Sequence, residues 1–255
     1  MFRIFGIQLS VHGTFLLLLA YAGYEGWASG GTAGLVWRVL LMICFFCCVV
    51  LHELGHSLTA RQYGVRVPRI LLLPIGGMAE MEQIPRRPSA EFFITIAGPA
   101  VNFGIVAVLL AFGWRYVLGV DPVEEFSAPD LLLWMFWGNL YMGIFNLLPM
   151  YPMDGGRILR SILALWLPYL RATWWAVAIT RVLAPIFAIV AVAWLDAWML
   201  GVLFLFILVA AGTEYRVLLR REQEAAYWAA MTRRIILARA DGEESQPPLL
   251  AEGPR

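Results

Sequence analysis

Three histidines occur in the chain, and two of them stand four residues apart in Val50-Leu51-His52-Glu53-Leu54-Gly55-His56. On a helix that spacing puts His52 and His56 on one face, a turn apart. Two imidazoles so placed can bind one zinc ion at about 2.0–2.1 Å per nitrogen. Glu53, next to the first ligand, can act as general base toward a water at that metal. The motif closes a long apolar run that ends at Arg61, which places His52 about 13 Å along a helix inside its edge. Ionisable groups at that depth cost several kcal/mol unless they serve a purpose, so the cluster marks a functional site.

A catalytic zinc needs a third protein ligand and an open position. The best candidate is Asp154, in Asn146-Leu147-Leu148-Pro149-Met150-Tyr151-Pro152-Met153-Asp154-Gly155-Gly156-Arg157. Pro149 and Pro152 break the apolar run before it, and Gly155-Gly156 lets the backbone approach a neighbour closely. Non-helical backbone at membrane depth is tolerated only against protein or a water-filled cavity, and a hydrolase working in lipid needs such a cavity. Zinc, two neutral imidazoles and the Asp154 and Glu53 carboxylates sum to zero charge, which softens the cost of burial.

These residues must be held by membrane helices. Of 255 residues 61% are hydrophobic and 15% charged, against roughly 25% charged in a soluble domain, and the mean hydropathy is +0.73. The expected architecture is an all-α polytopic membrane protein with about six transmembrane helices and a small membrane-associated β hairpin or sheet on the cytoplasmic side. The spans fall near 11–27, 35–60, 91–117, 131–149, 174–195 and 197–215, within a core of residues 1–219. The first could pass for a signal peptide, but its apolar core is thin and residues 4–13 read as a strand. All 19 cationic residues are arginine. With six spans, Arg3, the five arginines of 61–87, the three of 157–171 and the seven from Arg216 onward share one face. The positive-inside rule then puts both termini, and with them the active-site side, on the cytoplasmic face; the expected location is a prokaryotic cell membrane.

The connection 64–82 carries short β-type runs broken by Pro68, Pro74 and Gly76-Gly77, and reads as a hairpin or small sheet against the membrane. Its strands could offer an edge on which an unwound substrate pairs, which makes Leu72, Gly76 and Gly77 candidate substrate-binding residues. Residues 158–170 read as a short interfacial segment, 220–240 as a cytoplasmic amphipathic helix lying on the surface, and 241–255 as a disordered tail. Cys44, Cys47 and Cys48 share one apolar run; with no second pair they read as small buried hydrophobes. A net charge of +1 leaves no basic field for nucleic acid.

His52-Glu53-x-x-His56 near the end of a span, joined to Asn146-x-x-Pro-x-x-Pro-x-Asp154-Gly-Gly-Arg, resembles the site-2 protease family of intramembrane zinc metalloproteases. Ala97-Gly98-Pro99-Ala100-Val101-Asn102 resembles that family's third-span signature. The resemblance implies one zinc per chain on His52, His56 and Asp154, with Glu53 as catalytic base. It also implies that Asn146 positions the substrate backbone or stabilises the oxyanion. Asn139 reads as a polar contact between spans. The likeness is to a compact subgroup: neither a PDZ module between spans nor a cystathionine-synthase-type nucleotide-binding pair after the last one is expected.

The implied activity is hydrolysis of a peptide bond in or near the transmembrane segment of a single-pass or few-pass membrane protein. An upstream site-1 protease or an inhibitory membrane partner would fit that role. The alternatives are a catalytically silent homologue acting as scaffold and a polytopic transporter, which would not need His-Glu-x-x-His. A prenyl-protein endopeptidase would be expected to use a glutamate as third ligand, against which the Asp-Gly-Gly context stands.

Overall fold

The computed structural model describes residues 2–74, 76–81 and 86–240. Among them the chain forms β1 (Phe2–Ile4), β2 (Ile7–Val11), α1 (Thr14–Gln62), β3 (Arg69–Leu73), β4 (Gly76–Glu80), α2 (Pro88–Val117), α3 (Ala128–Asn146), α4 (Asp154–Leu163), α5 (Tyr169–Ala193) and α6 (Trp198–Ala240). Four of these, α1, α2, α5 and α6, are long and apolar enough to cross a membrane. The chain divides into two compact units, Met1–Ala211 and Gly212–Arg255.

Non-helical backbone at Gly30 and Gly31, the latter at φ 61°, divides α1 into two arms. Gly26 and Gly34 lie on either side of the bend, and a Cβ on either would strike the other's backbone. Glycine is needed there for close approach of the arms. The bend falls between the first two expected spans. The second arm carries His52, Glu53 and His56 toward its end at Gln62.

The small sheet is larger than the sequence suggests. Its order is β1-β2-β3-β4. β1 and β2 form a hairpin turning at Phe5 and Gly6, both with positive φ, the backbone that a two-residue turn of primed type requires. β2 then pairs in parallel with β3, Leu9 against Ile70, so that α1 serves as the crossover. β3 and β4 are antiparallel, with Leu72 opposite Gly77. Ile7, Ile70 and Leu72 pack with Phe15, Phe46, Val49 and Leu54 of α1 in one apolar core. Leu72 is therefore a buried residue of an inner strand paired on both sides, and on this side the free edge belongs to β4. That corrects the expectation for Leu72: its strand has no unpaired backbone to offer.

The segment 147–153 between α3 and α4 is non-helical, as Pro149 and Pro152 require, and the Tyr151–Pro152 peptide is cis. Met150 and Met153 pack with Ala184, Ala188, Phe204 and Ile207 of α5 and α6. The Tyr151 amide donates to Thr180 Oγ1 at 2.8 Å. A Cβ on Gly155 would meet the Leu147 and Leu148 carbonyls, and one on Gly156 the Met150 carbonyl, so the close neighbour of the two glycines is this segment itself. Helix α4 begins at Asp154, earlier than the interfacial segment expected from 158.

Helix α6 is assigned from Trp198 to Ala240. Between Gly212 and Ala240 the chain has no glycine or proline and is rich in Ala, Arg, Glu and Leu, all strong helix formers. Residues 241–255, expected to be disordered, lie outside the described residues. Of the cysteines only Cys48 is buried; Cys44 is half-buried and Cys47 exposed.

Candidate metal centre

Helix geometry brings His52 and His56 of α1 to one face, and the N-terminus of α4 delivers Asp154 against them. The two Nε2 atoms are 3.1 Å apart, and Asp154 Oδ2 lies 3.3 Å from that of His52 and 3.2 Å from that of His56. Both imidazoles are buried. These are the three residues that the sequence puts forward as metal ligands.

Hydrogen bonds on the far side of the rings decide what the converging atoms can do. His56 Nδ1 is 2.8 Å from the Ile94 carbonyl of α2. A carbonyl only accepts, so Nδ1 carries the proton and the neutral ring turns a lone pair inward at Nε2. His52 Nδ1 is 2.6 Å from Asn102 Oδ1, also on α2. Among the described residues Asp154 Oδ2 accepts no hydrogen bond. Inward lone pairs converging with an anionic oxygen repel one another unless a cation lies between them.

Zinc fits this arrangement. Two nitrogens and one carboxylate oxygen form a common catalytic donor set, and ligands at about 2.0–2.1 Å around a tetrahedral ion stand about 3.3–3.4 Å apart, close to the separations here. Gly98 of α2 leaves the necessary room: a Cβ there would lie 2.8 Å from His52 Nε2 and closer still to His56 Nε2. The packing of α1 on α2 is equally close at Gly55, whose Cβ would fall 2.7 Å from the Ala97 carbonyl oxygen.

Glu53 is half-buried beside strand β4, where a Cβ on Gly77 would come within 2.6 Å of Glu53 Cγ. The edge strand thus lies against the candidate base. Asn146 is the half-buried last residue of α3, and among the described residues no hydrogen bond ties it to the three donors. Gly76 opens β4 at φ 135°.

Several contributors to the site escape the sequence reading. Asn102 and the Ile94 carbonyl hold the imidazoles. Asn139, expected only as a contact between spans, accepts from Asn102 Nδ2 at 2.9 Å. Glu91 of α2 accepts from Arg160 Nε of α4 at 2.7 Å, and the guanidinium lies between the rings of Tyr151 and Tyr169 at 5.1 and 4.8 Å. This buried pair ties the Asp154 helix to α2, and burial pushes the Tyr151 phenol far above its ordinary value. The rule that marks His52 and Glu53, an ionisable or polar group deep in an apolar helix, would have found Glu91 as well; Asn139 is the contact between spans that the sequence suggests.

The sequence profile of peptidase family M50 matches residues 40–129 and 115–187, which include all three donors. A zinc metalloprotease of Methanocaldococcus jannaschii, MJ0392, is 43% identical over 187 residues, covering 73% of this chain and 51% of its own. Stage IV sporulation protein FB of Bacillus subtilis is 29% identical over 199 residues, 74% of this chain and 64% of its own. The chain thus spans about half the length of the first relative. A solved structure, the site-2 protease from Methanocaldococcus jannaschii, superposes with a TM-score of 0.61 at 38% identity, covering 84% of this chain and 94% of that one.

Proposed function

The chain belongs to peptidase family M50, the site-2 proteases, and from that premise we propose that it is an intramembrane zinc metalloprotease acting on the transmembrane segments of other membrane proteins. One observation carries the reading: two buried imidazoles and a half-buried carboxylate with donor atoms within 3.1–3.3 Å of one another near the end of an apolar helix. A silent homologue has no need to keep such a site open.

His52, His56 and Asp154 would hold the ion. Zinc bound there supplies a Lewis acid that polarises a carbonyl oxygen and acidifies water at its open position. Glu53 takes the proton from the attacking water and returns it to the leaving amide nitrogen, so the base is restored when the peptide bond has broken. Asn146 donates to the substrate backbone once a segment enters.

A transmembrane helix shields its peptide bonds with its own hydrogen bonds, so the substrate must unwind before attack. The free edge of β4 supports a docking place for the unwound strand, since Gly77 brings that edge against Glu53. Of Met78 and Ala79, neighbours on this edge, one points its N–H outward. Proline at that position should slow cleavage while zinc is retained.

The six-span topology rests on the two arms of α1, on α2, α3 and α5, and on the first part of α6. The arginine distribution supports cytoplasmic termini, and archaeal and bacterial relatives support a prokaryotic cell membrane. Zinc content of the purified protein, with His56→Ala and Asp154→Ala beside wild type, and cleavage of reconstituted transmembrane peptides test the reading. About one zinc per chain, lost with cleavage in both variants, is the expected result. Cleavage that persists without zinc would overturn it.

A further inference from the structure

Behind His52 the hydrogen bonds can run in one direction only. Asn139 of α3, fully buried, donates its Nδ2 to the Met135 carbonyl one turn back at 2.8 Å. A carbonyl cannot donate, so the amide nitrogen of Asn139 belongs on that side and Oδ1 faces Asn102. Asn102, also fully buried, must therefore turn its Nδ2 to Asn139, at 2.9 Å, and its Oδ1 to His52 Nδ1, at 2.6 Å. An amide oxygen only accepts, so Nδ1 of His52 carries the proton and Nε2 the lone pair. Turning over Asn102 alone would set oxygen against oxygen at Asn139.

We propose that Asn139 is a positioning residue for the metal: anchored on the Met135 carbonyl, it sets through Asn102 the tautomer in which His52 presents a lone pair to zinc. The inference rests on the reading of His52, His56 and Asp154 as ligands. The two imidazoles differ in this respect. His56 takes its tautomer directly from a backbone carbonyl, whereas His52 depends on two side chains drawn from two other helices. Without Asn139, Asn102 is free to turn over and donate to Nδ1. The His52 proton then moves to Nε2, where it points at the ion's place. Removing a partner behind a metal-bound histidine typically costs 10–100-fold in metal affinity.

The rival role for Asn139 is plain packing between α2 and α3, and a double-variant cycle separates the two. A carboxylate at position 102 cannot donate, so Asn102→Asp holds the proton on His52 Nδ1 without help. In the full-length, zinc-loaded protein, the measurement is zinc transfer to a chromophoric chelator, with the visible spectrum of the cobalt form as a second readout. Asn139→Leu should weaken zinc retention 10–100-fold and shift the cobalt spectrum. Added to Asn102→Asp, which itself sets an oxygen against Asn139 Oδ1, the same substitution should not weaken retention by more than about threefold, since uncoupled sites add and coupled ones do not. Asn139→Ala serves in the same cycle if the leucine variant fails to fold. Equal losses in both backgrounds, or wild-type retention in Asn139→Leu, would overturn the proposal. Wild-type zinc content in His56→Ala would instead overturn the ligand reading beneath it.

Discussion

Replacing Gly98 by alanine sets two effects of opposite sign against each other. Gly98 has helical backbone inside α2, where glycine is worse than alanine by about 1 kcal/mol, which offsets part of the cost of about 1–3 kcal/mol that crowding the two buried rings imposes on the empty protein. The added methyl, however, would lie 2.8 Å from His52 Nε2 and closer to His56 Nε2, where ordinary contact begins at 3.4 Å. The His52 ring must retreat by about 0.6 Å and the His56 ring by more, against a tolerance of about 0.2 Å in metal–ligand distance. The methyl also takes the volume toward which both lone pairs point. Zinc content should fall from about one per chain to below about 0.1, and the zinc dissociation constant should rise at least about 100-fold. Elemental analysis and thermal unfolding with and without a chelator test both halves. Wild type should lose thermal stability when zinc is removed, while Gly98→Ala should unfold at one temperature in either condition. A Gly98→Ala protein with a full zinc complement and wild-type cleavage would refute the placement of the ion between these donors.

Three further outcomes follow from the packing. Arg160→Ala leaves Glu91 buried and unpaired and should cost about 3–5 kcal/mol in thermal or denaturant unfolding, whereas the double change Glu91→Leu with Arg160→Met should cost less than either single one. Gly77→Ala drives a methyl against Glu53 Cγ and Val49 Cγ1; kcat should fall about 10–100-fold with zinc retained, and an unchanged kcat would separate β4 from the base. The hydrogen bond and charge of Arg69 hold Glu80 below its ordinary value of 4.5. A depressed carboxyl stabilises the fold above its unfolded value and loses that contribution as pH falls through the folded one. In Glu80→Gln, β4 amides should therefore exchange faster than wild type at pH 7, and the difference should close below the carboxylate range.

What could be read from the sequence follows the range over which each feature is determined. His52, Glu53 and His56 sit within one turn and a half of helix, so spacing alone places them. Asp154 is distant in sequence, but two prolines and two glycines around it announce a chain leaving one helix to start another. The gap left between the first two expected spans, 27–35, holds the bend at Gly30-Gly31. The parallel pairing of β2 with β3 was not, because its partners are separated by the whole of α1 and neither strand's pattern names the other. The same limit hid the free edge: Leu72 lies on an inner strand only once residues 7–11 are seen beside it. At α6 the composition changes from apolar to charged near Arg216, while the residue types remain helix formers, so a helical tail was legible there. The direction of the Asn139–Asn102–His52 hydrogen bonds depends on three helices meeting, which no local pattern records.

Under the proposed function, zinc on His52, His56 and Asp154, with Glu53 as base, cleaves membrane proteins within the membrane. The most direct measurement compares protein termini by mass spectrometry in membranes of cells expressing wild type or Glu53→Gln, with zinc content measured for both purified proteins. About one zinc in each is expected, and new termini inside transmembrane segments with wild type alone. Identical sets of termini from two zinc-loaded proteins, in cells where reconstituted wild type cleaves no transmembrane peptide either, would contradict it.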